Sequence, residues 1–84
     1  MNPEIITEAL NRFPGFVVSI ADDLAVLLDA GSDVMVQVSP HRGGYAVQGH
    51  TVRRVGMLGR ARYVGDSAGE VADAVAAILA DVQD

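Results

Sequence analysis

Apolar residues recur at helical spacing near both ends of the chain and at strand spacing between them. Ile6, Ala9, Leu10 and Phe13 form one stripe at offsets of three and four. Asn2, Pro3 and Glu4 supply an N-cap type, a proline for the first helical position and an acid for the first turn, so the pattern predicts an N-terminal helix. Pro14-Gly15 is expected to end it, because proline disfavours the α conformation at Phe13. Glu8 and Arg12 stand four apart, the spacing of a surface pair on one helix. Later in the chain Ser67 and Glu70 make a Ser-x-x-Glu capping box. Val71, Ala74, Val75, Ile78, Leu79 and Val82 then line one face of a predicted C-terminal helix.

From Phe16 to Val64 the period shortens to two. Phe16, Val18 and Ile20 alternate with Val17, Ser19 and Ala21, and Val34, Val36 and Val38 alternate with Met35, Gln37 and Ser39. Tyr45–Gln48, Val52–Met57 and Arg60–Val64 continue the pattern. Turn residues stand between the runs at Asp22-Asp23, Ala30–Asp33, Pro40–Gly44 and Gly49-His50. Residues 22–30 suit either a strand through Leu24, Val26 and Leu28 or a short capped helix; the strand is preferred. The expected fold is therefore α+β: an N-terminal helix, an antiparallel β-meander of about four to six strands and a C-terminal helix. Both helices are expected on one sheet face, as a two-layer sandwich.

The 84 residues make one domain, near the size at which a single core is only just sufficient. Half of them are apolar, including twelve alanines, and this exceeds what so small an interior needs. Self-association is therefore expected, as a homodimer or as a subunit of a larger assembly. Cysteine is absent, so neither disulfides nor a thiolate zinc site is expected. The early acids do not fit a signal peptide, and the apolar run Ala74–Ala80 is too short to span a bilayer. A cytoplasmic protein without membrane partners is the expectation. Usage rich in Ala, Val, Gly, Asp and Arg and devoid of Lys suits a GC-rich genome, actinobacterial or phage.

Charge is segregated. The stretch Val34–Gly65 holds Arg42, Arg53, Arg54, Arg60 and Arg62 with no acid, a sum of +5. The flanks hold eleven acids and Arg12, a sum of −10, which completes the net charge of −5. Such a basic centre either grips a phosphate or carboxylate through guanidinium forks or pairs internally with Asp66, Glu70 and Asp73 of the adjoining helix. An acidic chain sets its long-range field against a polyanion, so nucleic acid is the weaker reading.

Catalytic and metal chemistry have little to stand on. His41 and His50 lie nine apart without a helical ligand pair, and Ser39 has no nucleophile-elbow context. No enzyme activity, cofactor or metal is expected. In Pro40-His41-Arg42-Gly43-Gly44 a tight turn explains the glycines as well as an anion site does. Gly56-Met57-Leu58-Gly59 puts two large apolar residues in an expected hairpin tip, which marks a contact.

The uncovered sheet face is expected to collect Val17, Ser19, Leu27, Met35, Gln37, Ala46, Gln48, Val55, Arg60 and Arg62. That mixture suits a protein-binding surface. The expected role is a non-enzymatic interaction module that meets its partner through Leu27, Met35, Met57, Leu58, Arg60 and Arg62. The alternative is a small nucleic-acid or phosphate-ligand regulator using His41, Arg42, Arg53 and Arg54 with the other central arginines.

Overall fold

A computed structural model describes residues 2–29, 31, 33–51 and 56–83 and, of 56–59, 82 and 83, the backbone alone. Helix α1 (Pro3–Leu10) begins as the sequence predicts: Asn2 is extended, and its Oδ1 accepts the Glu4 N–H at 3.1 Å. The helix closes at Leu10, before Phe13. The Arg12 and Phe13 amides bond three residues back, to Ala9 and Leu10, and Gly15 then turns the chain at φ +89°. Helix α2 (Ala68–Gln83) follows Ser67, whose carbonyl accepts the Val71 N–H at 3.1 Å.

Between the helices run β1 (Val17–Ile20), β2 (Ala25–Leu28), β3 (Val34–His41), β4 (Gly44–Thr51) and β5 (Gly56–Val64). They form one antiparallel sheet in chain order, each strand paired with the next. The ambiguous stretch 22–30 contains a strand, since Ala25 and Leu27 are buried while Val26 and Leu28 are half-buried. Pairing to β1 and β3 on both sides outweighs the local helical signals. Gly49-His50, expected as a turn, lies inside β4, where pairing on both edges overrides the glycine.

The β3–β4 hairpin has the two-residue loop Arg42-Gly43, with φ of +46° and +81°. Two positive φ values in succession define the turn type that matches the natural twist of a hairpin. Gly44 has a different reason to be glycine: a Cβ there would collide with the Val64 carbonyl on β5.

Both helices lie on one face. Ile6, Ala9 and Leu10 of α1 and Val71, Ala72, Ala74, Val75 and Ile78 of α2 pack on Ala25, Leu27, Val36, Val38, Tyr45 and Val47. The sheet residues in this set share one face, because cross-strand partners such as Leu27 and Val36, or Val38 and Val47, point the same way. The small α2 residues Ala72 and Ala74 let that helix approach the sheet closely.

Candidate interaction surface

The opposite face follows the register. One row runs Val17, Leu28, Met35 and His50; the next runs Ser19, Val26, Gln37 and Gln48; a third joins Ser39, Ala46 and Tyr63. From Val26 to His50 these side chains are half-buried by their strand neighbours, and no described element lies over them. The face is graded, with Val17, Val26, Leu28 and Met35 at the β1–β3 end and Gln37 and Gln48 at its centre. At the far end the His41 ring lies 4.5 Å from that of Tyr63, tilted by 38°. They meet over β4, where their register partners are Gly44 and Ala46, too small to intervene.

Several expected contact residues lie elsewhere. Leu27 is 1% exposed and belongs to the covered face, because it pairs with Val18 and Val36 rather than standing in the Met35 row. Arg62 also turns to the helix side: it pairs with Val47, and its Nη2 lies 3.6 Å from Asp81 Oδ2 of α2. Among the described residues the ion pair from β5 to α2 is made at Asp81, while Glu70 and Asp73 line a recess beside Arg62. Arg60 is exposed in an irregular stretch, where Gln48 alone on β4 faces Gly59, Arg60 and Ala61 on β5. The irregularity gives Arg60 no cross-strand position, whereas Arg62 stands opposite Val47. Met57 and Leu58 are not at a hairpin tip; their backbones pair with His50 and Gly49 inside β5. Of the expected set, Met35 stands in the open-face row, and the backbone of Met57 continues that row through its pairing with His50.

The anion-site candidates divide. His41 and Arg42 line a recess of about 330 Å³ at the β3–β4 turn, and Tyr45, Asp66 and Asn2 line it too. Arg53, Arg54 and Val55 lie outside the described residues. The Asp66 carboxylate puts negative charge into the recess, which opposes an anion there. Among the described residues no group of three or more His, Asp or Glu is placed to hold a metal ion. No helix among them is long and apolar enough to cross a membrane.

The residue least apparent in the sequence is Tyr45. It is buried at 2% exposure, donates its hydroxyl to Asp66 Oδ1 at 2.5 Å and accepts the Asn2 N–H at 3.3 Å. Burial first, then the bond to Asp66, raises its pKa above the ordinary 10.0. Its place opposite Pro40 and two residues before Val47 was the available signal for the covered face.

The fold is a two-layer α+β domain, with a five-stranded meander and both helices on one side. No family model, curated protein or solved structure matches the chain.

Proposed function

We propose that this protein is a non-enzymatic interaction module that docks a protein partner on the uncovered face of its sheet. The observation that carries the reading is the one-sided cover. Val17, Leu28 and Met35 form an apolar register row on the face that neither helix occupies. Water on one side of an antiparallel sheet is ordinary, but it favours polar residues there. An apolar cluster beside Gln37 and Gln48 has the composition of a contact core with polar groups that fix orientation.

A phosphate or nucleic-acid surface draws less support. Of the described central arginines, Arg62 turns toward Asp81 of α2 and Arg42 sits at the β3–β4 tip beside a recess that the Asp66 carboxylate shares.

Paired affinity capture tests the reading, with the wild-type chain and Met35→Lys as baits in lysate of the native cell. A lysine in the middle of the apolar row leaves a charge to be desolvated, so partner recovery should fall at least tenfold, roughly the loss of one contact hot spot. The far-ultraviolet dichroism of the two baits should agree. Identical protein recovery from both baits would remove the open face from consideration. Recovery of nucleic acid that declines steeply with salt would favour the alternative reading.

A further inference from the structure

We infer that the β1 edge pairs with β1 of a second copy of this chain, joining two five-stranded sheets across a two-fold axis. The inference concerns the edge of the sheet and stands apart from the open-face reading. Large exposed apolar residues among the described set are concentrated there: Val17 (57%), Val18 (38%), Ile20 (36%) and Leu24 (36%), with Tyr63 the one member elsewhere. All four residues of β1 are exposed. None of them is charged or proline, the residue types that usually guard an open edge against strand addition.

The other edge is guarded. β5 carries Arg60, Arg62 and an irregular register against β4, both of which discourage pairing. A β1-to-β5 contact would repeat without closing, whereas β1 against β1 closes on two copies. The second copy is therefore the strand that best fits this edge.

Hydrogen bonding and symmetry agree on the register. The Ala21 N–H donates to the Leu24 carbonyl at 2.9 Å, which closes the β1–β2 hairpin. Alternation along an antiparallel pair then turns the Ser19 and Val17 amides toward β2 and the Val18 and Ile20 amides outward. A two-fold axis normal to the sheet must oppose residues of like parity. A pairing centred on Val18 sets Val18 against its own copy and Ile20 against Phe16. The hydrogen-bonded rungs then join outward-facing amides and bring apolar side chains together on the helix side, with the non-bonded pairs of Val17 and Ser19 between them.

A strand of four residues is only about 14 Å long. The contact therefore falls among small interfaces, below about 1,200 Å², and should be an equilibrium that concentration shifts. Sedimentation equilibrium should show a mass rising from 8.8 kDa toward twice that value as the protein is concentrated. Ile20→Lys and Val18→Pro should hold the mass at 8.8 kDa with unchanged helical dichroism. Proline at 18 removes an outward amide, not a β1–β2 bond. Met35→Lys should leave the doubling intact. Hydrogen exchange of wild type supplies a readout free of substitutions: the Val18 and Ile20 amides should slow at least tenfold between dilute and concentrated samples. A monomer at every concentration would leave this edge to a foreign strand and overturn the inference. Doubling that survives Ile20→Lys and is lost in Met35→Lys would also overturn it, by moving the self-contact to the open face.

Discussion

The Tyr45 hydroxyl joins the two places where helices begin: Asp66 just before α2 and the Asn2 amide at the start of α1. Tyr45→Phe keeps the buried ring and removes both bonds. It should lower unfolding free energy by about 1–2 kcal/mol, because one bond has a charged acceptor and the groups left behind are only partly buried. The pH dependence follows from the raised pKa. An acid that holds its proton more tightly when folded contributes stability below its ordinary pKa. That contribution is lost as pH rises from 10.0 through the higher folded value. Wild type should therefore lose stability in this alkaline range, and chemical denaturation of Tyr45→Phe should show a shallower decline there. Equal slopes for the two proteins would exclude Tyr45 as the source.

At the scale of elements, the β3–β4 hairpin shows where local preference and tertiary structure disagree. Arg42 takes a left-handed φ of +46° that a residue with a Cβ adopts at a cost. Asparagine tolerates this conformation and is the usual partner of glycine in such turns. Arg42→Asn should stabilise the protein by about 0.5–1 kcal/mol in a urea titration, a fraction of the usual left-handed penalty. A loss of stability would show that the guanidinium makes a contact worth more than the strain.

The same elements show how far the sequence could be interpreted. Helix starts and the meander were legible because caps and the period-two pattern are local signals, whereas the strand at 22–30 is decided by pairing on both sides. The reach of β5 was not legible: Gly56 and Gly59 suggested a turn, yet continuous pairing along β4 holds that backbone in a strand. Leu27 was assigned to the wrong face because Leu24, Val26 and Leu28 suggested the other alternation. In the fold, Val18 and Val36 stand opposite Leu27 and draw it into the core. The exposed β1 edge was illegible for another reason. Its sequence, Val17-Val18-Ser19-Ile20, suits a buried strand as well as an edge, and only the sheet order distinguishes them.

At the scale of the whole molecule, the segregated charge becomes a difference between layers and segments rather than a stabilising network. Arginines of the later strands meet acids of α2 through a pair such as Arg62–Asp81, whose side chains are 47% and 76% exposed. Exposed pairs of this kind contribute about 0–1 kcal/mol. Cohesion comes instead from α1 and α2 packing on the covered sheet face. Because every strand pairs with its immediate successor, almost no long stretch of chain must be closed before favourable contacts begin to accumulate. Topologies of this kind fold fast for their β content. The β3–β4 hairpin, with eight paired positions, is therefore expected to form before the barrier is crossed. Arg42→Asn should then accelerate refolding about two- to fivefold and leave the unfolding rate nearly constant. If stopped-flow traces show slower unfolding at an unaltered refolding rate, the turn closes only after the barrier has been crossed.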